Sequence, residues 1–307
     1  MNESPPGLTD LTGLTDLTDL AQNATWEAFA GQPCIRLRLD AANSLLVALH
    51  GAHVLSWVAN GAEQLYLSPR TAIGGSAAIR GGVPVCFPQF SQRGTLPKHG
   101  FVRNLPWTLD LAGQANLTNH AKPPASAQIV LRLDHSTATL ALWPHAFTAR
   151  LVVTLAANQL HIALLVDNTG TEPLAFTVAL HSYFQVAAIA HTQVQGLDGC
   201  ASWDILTDTR SLQNGPLHID GNVDSIYSAA PLTLIDGHNP PRSISQSASL
   251  GNIVVWNPGA ALCARLDDMP EDGYKHMLCI EAAHIDHPVQ LAPGARWESW
   301  QRVVVGV

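Results

Sequence analysis

A single carboxylate interrupts an apolar run near the C-terminus. In "YKHMLCIEAAHIDHP", Tyr274 to Pro288, Glu281 follows four consecutive apolar residues, Met277 to Ile280. A carboxylate in such surroundings must be paired, protonated or put to use. Desolvation raises its pKa towards neutrality, which suits a general base that works near pH 7. Glu281 is therefore the first candidate for a catalytic residue.

A histidine occupies a similar apolar setting in the middle of the chain. In "VALHSYF", Val178 to Phe184, His181 is flanked by Leu180 and Tyr183. A lone histidine in an apolar strand is more often a hydrogen-bonded core residue than a catalyst. The residues alone therefore leave both interpretations of His181 open.

An arginine stands in a conformationally restricted segment, "IRGGVPVCFPQF", Ile79 to Phe90. Its two glycines allow close turns of the backbone and its two prolines stiffen the path. Arg80 would thus project from a rigid segment, as a ligand-binding residue does.

The next segment, "LPKHGFVRN", adds His99 and, four residues later, Arg103. These side chains would place a second imidazole and a second guanidinium near one loop. The alternative is a Pro/Gly-rich turn whose arginines pair with surface carboxylates, which would carry little energy and no chemistry.

The sequence predicts neither a metal site nor a nucleotide cofactor. Glu281, His284 and His287 form a candidate metal-binding set, but residues three apart face opposite sides of a strand. The chain contains no G-x-G-x-x-G motif, no Walker loop and no G-x-S-x-G elbow, so dinucleotides, nucleoside triphosphates and a hydrolase serine are not indicated. We expect a protein that needs no cofactor.

Two-residue alternation of apolar and polar side chains, which is typical of half-buried strands, begins near Trp26. It is clear in four segments, "CIRLRLD", "IVLRLDHS", "QLHIALLVDN" and "RWESWQRVVV", and 23 glycines and 20 prolines punctuate the chain. The pattern predicts a large antiparallel all-β domain over residues 26–307 with a few short helices. Residues 1–25 include a three-residue repeat, Leu8 to Leu20, which we interpret as a low-complexity extension.

Composition restricts the partners. The 307 residues carry a net charge of −8, and the 16 lysines and arginines form no basic run, which argues against nucleic acid. No apolar stretch is long enough to span a bilayer, so no membrane partner is expected. Five widely spaced cysteines and an N-terminus without signal-peptide features indicate a cytoplasmic protein with reduced thiols.

Seven ordered motifs together resemble the aldose 1-epimerase superfamily and, within it, the glucose-6-phosphate 1-epimerase branch. The resemblance covers about residues 26–305. The motifs are "GAHVLSW", "IRGGVPVCFPQF", "KHGFVRN", "ALHSYF", "VQGLDG", "VVWNP" and "GYKHMLCIEAA". The resemblance implies a galactose-mutarotase-like β-supersandwich with a sugar bound in a cleft on one face of a sheet.

The resemblance also implies a catalytic group. By the family pattern, His181 is the general acid that protonates the ring oxygen of a sugar, and Glu281 is the general base that takes the proton of the C1 hydroxyl. His99 assists by hydrogen bonding near the ring oxygen. Ring opening, rotation at C1 and closure would then interconvert anomers without metal or cofactor.

The substrate-binding residues implied by the resemblance are more numerous. Arg80 and Arg103 resemble the arginines that bind the phosphate of a hexose 6-phosphate, since a guanidinium matches a phosphate bidentately. Asp204 would bind sugar hydroxyls. Four further residues lie in or beside the same motifs, namely Gln89, Lys98, Trp256 and, as an additional cation, Arg70.

Three positions depart from the family pattern. Gly259 stands where the family has an aromatic residue after "WNP", Ser91 replaces a glycine after "FPQF", and Lys98 replaces a glutamine beside His99. The first two leave open the detailed shape of the sugar pocket and the epimer that fits it best, and Lys98 adds a positive charge that favours an anionic substrate or faces solvent.

The sequence thus predicts a monomeric isomerase that interconverts the α and β anomers of a hexose 6-phosphate, with glucose 6-phosphate as the first candidate. One alternative is an aldose 1-epimerase that acts on unphosphorylated sugars. Another is a non-catalytic module that binds sugar phosphates, because one fold hosts both binding and catalysis. The presence of both His181 and Glu281 argues against the binding module.

Overall fold

The described part of the chain consists mainly of antiparallel β-strands. The structure is a computed structural model that describes residues 23–72, 78–116 and 125–306. The helices within these ranges are short, and none is long and apolar enough to cross a membrane. They are α1 (Leu111–Asn116), α2 (Thr137–Leu142), α3 (Gly259–Cys263) and the 3-10 turns Val102–Asn104, Ile189–His191 and Gly273–His276. The prediction of an all-β protein with a few short helices is confirmed.

The predicted N-terminal extension is mostly outside the described residues, which begin at Asn23, and this includes the repeat from Leu8 to Leu20. The first strand begins at Ala24, slightly before the predicted boundary at residue 26. The division into an extension and one domain stays a prediction.

The N-terminal strands form a five-stranded sheet in sequence order, in which each strand pairs with the next. Tight turns with glycines at positive φ, Gly31 and Gly61, join two of these hairpins. The strands are β1 (Ala24–Phe29), β2 (Gln32–Arg38), β3 (Ser44–Ala48), β4 (His53–Ala59) and β5 (Ala62–Glu63).

The largest sheet has nine strands and contains the most regular pairing of the molecule. Strand β10 (Gln159–Asn168) pairs along its whole length with β9 (Phe147–Ala156) and along most of it with β22 (Arg296–Val305), which is the central strand of the sheet. In spatial order the strands are β16 (Leu217–His218), β13 (Gln193–Gln195), β18 (Leu232–Ile235), β19 (Arg242–Gln246), β22 (Arg296–Val305), β10 (Gln159–Asn168), β9 (Phe147–Ala156), β8 (Ala127–Asp134) and β7 (Thr108–Leu109).

The third sheet has eight strands and is organised around β21 (Met277–Leu291), which runs for 15 residues. Strand β20 (Asn252–Asn257) pairs with one side of β21, and β11 (Leu174–Leu180) and β12 (Tyr183–Gln185) pair with the other. In spatial order the strands are β15 (Thr209–Leu212), β14 (Ala201–Asp204), β17 (Val223–Ser228), β20 (Asn252–Asn257), β21 (Met277–Leu291), β11 (Leu174–Leu180) and β6 (Val85–Cys86), with β12 (Tyr183–Gln185) beside β21.

The main hydrophobic core joins the nine-stranded and eight-stranded sheets. Leu151 and Leu164 from the former and Val178, Val255 and Ile280 from the latter belong to one cluster of buried side chains. Full burial of each such side chain contributes about 1.5–3 kcal/mol. This shared core fixes the position of the eight-stranded sheet, whose opposite face is then available for other roles.

An aromatic group in this core anchors the segment that carries Arg80. Phe87 makes edge-to-face contacts with Trp143, Phe147 and Phe176, with ring centroids 5.7, 5.5 and 5.1 Å away. Such pairs add about 0.5–1.5 kcal/mol each beyond the area that they bury. Phe87 therefore ties the segment between Ile79 and Phe90 to strands of both large sheets.

Replacement of Phe87 by alanine should destabilise the protein by about 3–5 kcal/mol, because the ring is fully buried and leaves a cavity. Urea unfolding followed by tryptophan fluorescence measures the change. Leu142→Ala is the control, since that side chain is 52% exposed and should cost less than about 1 kcal/mol. Similar losses in the two variants would contradict the proposed anchor.

Candidate active site

A pocket with a volume of about 260 Å³ lies on the face of the eight-stranded sheet that points away from the shared core. Side-chain alternation along the strands creates it. On β21, Ile280 points into the core and Glu281 lines the pocket. On β20, Val255 points into the core, and Val254 and Trp256 line the pocket.

The pocket combines ionisable groups with apolar walls. The ionisable groups come from the loop after β6, from the end of β11 and from β17 and β21 as well as from Arg80. They are Arg80, Arg93, Lys98, His99, His181, Asp224 and Glu281. The apolar and aromatic walls include Phe90, Tyr183, Ile205, Ile226, Val254, Trp256, Leu262 and Leu266.

His181 and Glu281 are in direct contact on the floor of this pocket. Strand β11 pairs with β21 up to Ala282, and β12 resumes the pairing at Cys279, so the chain leaves the ladder opposite Glu281. His181 lies in this gap, and its Nε2 is 3.3 Å from Oε1 of Glu281. The two side chains are buried, with 8% and 2% of the residue surface exposed. At this separation the imidazole and the carboxylate are in direct contact, close enough to form an ion pair when the imidazole is protonated.

Each member of the pair also has a buried polar atom without a hydrogen-bond partner among the described residues. These atoms are Nδ1 of His181 and Oε2 of Glu281. Native proteins rarely leave such atoms unpartnered, because desolvation without a hydrogen bond costs about 1–3 kcal/mol or more. The unpartnered atoms are explained if the pair serves a bound molecule.

Burial shifts the pKa values of both groups towards their uncharged forms. It raises the pKa of Glu281 well above 4.5, and the negative charge of Asp224 adds to this shift. It lowers the pKa of His181 well below 6.5, and the neighbouring His99 adds to that shift. Nearby cations lower both pKa values. Burial therefore disfavours both the carboxylate form of Glu281 and the imidazolium form of His181.

His99 lies beside the pair in a neutral form. Its ring centroid is 5.5 Å from that of His181. Burial and the positive charge of Arg103 lower the pKa of His99 to about 3. Its Nδ1 accepts a hydrogen bond from the backbone N–H of Ser91 and is 3.2 Å from Sγ of Cys86. Because Nδ1 accepts a hydrogen bond, the proton of the neutral ring is assigned to Nε2, which can then donate a hydrogen bond to a ligand.

Arg80 reaches the pocket with its guanidinium already engaged. Its Nε donates to both carboxylate oxygens of Asp268 at 3.1 Å, and Nη1 donates to the hydroxyl of Tyr183 at 3.2 Å. The guanidinium carbon lies 5.9 Å from the ring centroid of Trp256. Tyr183 in turn stacks on the imidazole of His181 at 4.8 Å. Arg80 thus connects one wall of the pocket to the acid–base pair.

Three of the predicted site residues do not line the pocket, and neither does Arg70. Gln89 is buried and braces the loop that follows it, since its side chain bonds the backbone of Ser91 and Leu96. Arg103 donates from Nη2 to the carbonyl of Lys98. Gln89 and Arg103 therefore support the loop that carries Lys98 and His99.

Asp204 is also placed away from the pocket. It pairs with Ser225 across the ladder, so the two side chains share one face, while Asp224 on β17 points to the other. Its carboxylate accepts hydrogen bonds from the backbone N–H of Leu206 and the hydroxyl of Thr207. Asp204 closes a turn, and Asp224 is the carboxylate that lines the pocket.

Two ionisable residues of the pocket, Asp224 and Arg93, were not predicted from the sequence. Burial raises the pKa of Asp224, which marks it as a partly desolvated carboxylate. The signal in the sequence is weak, because "NVDSIYS" resembles an ordinary half-buried strand. Arg93 lies between two predicted motifs, in a loop for which no pattern predicts a direction.

The histidines that follow Glu281 take no part in the pocket. His284 lies three residues further along β21 and His287 is exposed. Within residues 23–72, 78–116 and 125–306, no group of three or more His, Cys, Asp or Glu side chains is placed to hold a metal ion.

Comparison with known proteins identifies the family. Residues 33–304 match the family model described as aldose 1-epimerase. A protein of Cenchrus ciliaris, provisionally named a glucose-6-phosphate 1-epimerase, is 34% identical over 82% of this chain and 78% of its own length. A protein of Escherichia coli with the same provisional name is 37% identical over 77% of this chain and 78% of its own length. The chain belongs to the aldose 1-epimerase family.

Solved structures support the same assignment. A crystal structure from Salmonella typhimurium, of a protein provisionally described as a mutarotase, superposes with a TM-score of 0.82 at 30% identity. The match covers 93% of this chain and 94% of that protein. The predicted galactose-mutarotase-like fold is therefore confirmed.

The raised pKa of Glu281 predicts a pH-dependent effect of Glu281→Gln on stability. The unfolded carboxyl titrates near 4.5, and the folded one titrates well above that value. Its contribution to stability is therefore fully present below 4.5 and is lost as the pH rises through the folded pKa. The variant, which cannot ionise, should be more stable than the parent at about pH 8, and this difference should shrink towards about pH 4.

Urea unfolding across that pH range measures the difference. Glu172→Gln is the control for loss of one carboxylate, because Glu172 is exposed, and its effect should stay within about 0.5 kcal/mol. A stability difference for Glu281→Gln that does not change with pH would contradict the assigned direction of the pKa shift.

Proposed function

We propose that this protein interconverts the α and β anomers of a hexose 6-phosphate, with glucose 6-phosphate as the first substrate to test. The observation that carries the proposal is the 3.3 Å contact between His181 and Glu281 on the floor of a pocket with cationic walls. Relatives from a plant and from bacteria carry glucose-6-phosphate 1-epimerase as their provisional name. Their names supply the substrate class, and the pair supplies the chemistry.

The proposed reaction needs only the proton that the pair already shares. Carboxylate Glu281 removes the proton of the C1 hydroxyl, and the electrons of that O–H bond form the carbonyl at C1. The bond between C1 and the ring oxygen breaks, and the ring oxygen takes its electron pair together with a proton from imidazolium His181. Rotation about the C1–C2 bond and the reverse steps close the ring on the other face.

Proton counting explains why the two groups are in contact. Before ring opening the transferable proton is on His181, and after it the proton is on Glu281, so the pair keeps one proton in both states. Burial favours the uncharged pair, which is the form that exists when the sugar is open. This preference lowers the free energy of ring opening.

The remaining pocket residues would orient the sugar. His99 can donate from Nε2 to an oxygen near the reacting bond, and Asp224 can accept hydrogen bonds from hydroxyl groups. Trp256 offers an aromatic face to the apolar side of the ring. Lys98 and the two pocket arginines supply positive charge, which favours an anionic sugar over a neutral one.

Exchange spectroscopy by NMR at anomeric equilibrium tests this function directly. We expect added protein to accelerate magnetisation transfer between the anomers of glucose 6-phosphate, and to do so far less for glucose at the same concentrations. Faster exchange of glucose alone would make the protein an aldose epimerase for neutral sugars. Acceleration of neither sugar, with binding of glucose 6-phosphate retained, would favour a non-catalytic binding module.

Removal of either member of the pair should abolish most of the exchange. Glu281→Gln and His181→Asn should each lower the rate constant by about 100-fold to 10,000-fold, since each removes one positioned proton transfer. His287→Asn is the matched control, because His287 lies on the same strand but is exposed. A correctly folded Glu281→Gln or His181→Asn variant with full activity would contradict the mechanism.

A further inference from the structure

The backbone ladder beside the acid–base pair lacks one of its hydrogen bonds. Two opposite residues of a regular antiparallel pair can exchange both of their backbone hydrogen bonds. Here Ser182 and Ile280, which adjoin the pair in sequence, exchange only one, from the N–H of Ile280 to the carbonyl of Ser182 at 3.1 Å. The N–H of Ser182 turns back to the carbonyl of Leu180 at 3.0 Å. The carbonyl of Ile280 thus lacks the second bond that a regular ladder would give it.

A side-chain amide from the nine-stranded sheet replaces the missing bond. Nε2 of Gln301 donates to the carbonyl of Ile280 at 3.1 Å, and Oε1 of Gln301 accepts from the hydroxyl of Ser182 at 2.5 Å. Together with the backbone bond between Ile280 and Ser182, these bonds close a ring. All three residues are buried, so loss of the amide would leave a buried carbonyl and a buried hydroxyl without partners.

The backbone of Gln301 is fixed on both sides. It lies on β22, the central strand of its sheet, where it pairs with Ile162 on β10 and with Gln246 on β19. The amide is therefore a rigid support for the backbone that it bonds. Gln301 is not among the residues that line the pocket, so it acts on the site only through that backbone.

The bonded groups lie one residue away from each member of the pair. Ser182 directly follows His181, and Ile280 directly precedes Glu281. The N–H of His181 points away from β21, because it donates to the carbonyl of Pro84 at 3.0 Å. A change in spacing between Ser182 and Ile280 would therefore move the imidazole relative to the carboxylate, which it now approaches to 3.3 Å.

We propose that Gln301 is a positioning residue, which holds the backbone on either side of the break at the spacing that brings His181 and Glu281 into contact. It touches neither the ligand nor the reacting atoms. The inference rests on the proposed function for the reaction in which the pair takes part, but the contact within the pair can be measured without turnover.

Gln301→Met tests the proposal, because methionine keeps the length of the side chain and removes both hydrogen bonds. We expect kcat for anomer exchange of glucose 6-phosphate to fall about tenfold to 100-fold, since a misplacement of about 1 Å can cost about 100-fold. KM should stay nearly unchanged, because the pocket walls are intact. NMR exchange rates at increasing substrate concentration give both constants. An unchanged kcat in the folded variant would overturn the proposal.

Asn168→Leu is the matched control for the loss of a buried amide. Asn168 is buried on β10, and its Nδ2 donates to the carbonyl of Leu291 at the far end of β21 at 2.9 Å. In urea unfolding this variant should lose stability as Gln301→Met does, but its kcat should stay close to that of the parent. Equal losses of kcat in both variants would reduce Gln301 to a general support of β21 and would overturn the proposal.

A smaller change covers the case in which Gln301→Met does not fold. Ser182→Ala removes only the hydroxyl that donates to Gln301, and should lower kcat about threefold to tenfold, as expected for the loss of one hydrogen bond. Ser299→Ala is its control, because Ser299 is buried on β22 and its hydroxyl has no hydrogen-bond partner among the described residues. Equal kcat values in the two serine variants would contradict the proposed role.

A double-mutant cycle shows whether Gln301 acts through the pair. In a Glu281→Gln background the pair no longer transfers its proton, so Gln301→Met should lower the residual rate less than about twofold. Losses that multiply would mean that Gln301 acts on another part of the protein, and the proposal would be wrong.

A measurement without substrate separates this inference from the proposed function. The ring 15N signals of His181, identified by their loss in His181→Asn, report its contact with Glu281. We expect Gln301→Met to shift these signals in the same direction as Glu281→Gln does, and Asn168→Leu to leave them in place. Such shifts in a protein that accelerates no anomer exchange would refute the proposed function alone. A parent that catalyses exchange, with kcat and the His181 signals unchanged in Gln301→Met, would refute the positioning role alone.

Discussion

The contact between His181 and Glu281 is the constraint on which the site depends. A buried carboxylate beside a buried imidazole is stable only when the two share a proton, because separate charges in a low-dielectric site are costly. The geometry that allows sharing is narrow, since the 3.3 Å separation arises where one strand gives way to another. Every neighbouring charge therefore affects the protonation of both residues together. The shared core and the supported loops hold the two side chains at this separation.

The nine-stranded sheet stabilises the break between β11 and β12 at which His181 lies. Where β11 ends, the hydroxyl of Ser182 donates to Oε1 of Gln301 on β22 at 2.5 Å, and Nε2 of Gln301 donates to the carbonyl of Ile280 at 3.1 Å. One buried amide thus connects the residue after His181 and the residue before Glu281 to the opposite sheet. Satisfied polar groups of this kind fix a unique arrangement, because a broken bond would leave a buried donor or acceptor unpartnered.

Local patterns predicted the strands well but predicted the site only in part. Alternation gave β10 and β22 over the ranges that the structure has, and the apolar neighbours of Glu281 correctly indicated its burial. Asp204 is a residue for which the local pattern did not predict the position, since Asp224 lines the pocket in its place. A strand reverses the direction of its side chains at each residue, so an offset of one position exchanges a pocket residue for one on the other face. The contact of His181 with Glu281, 100 positions apart, depends on pairing between distant strands, which no local pattern encodes.

Function and stability make opposite demands on β21. The strand carries the buried carboxylate of Glu281, one oxygen of which has no hydrogen-bond partner among the described residues. This burial lowers the free energy of unfolding at neutral pH, yet it also raises the pKa of the carboxylate, as a general base requires. The strand tolerates this because β20 pairs with it at Glu281 and because its alternate residues pack into the shared core. A strand held by such pairing and packing can carry an unfavourable group, since core strands open locally only at a free-energy cost close to that of global unfolding.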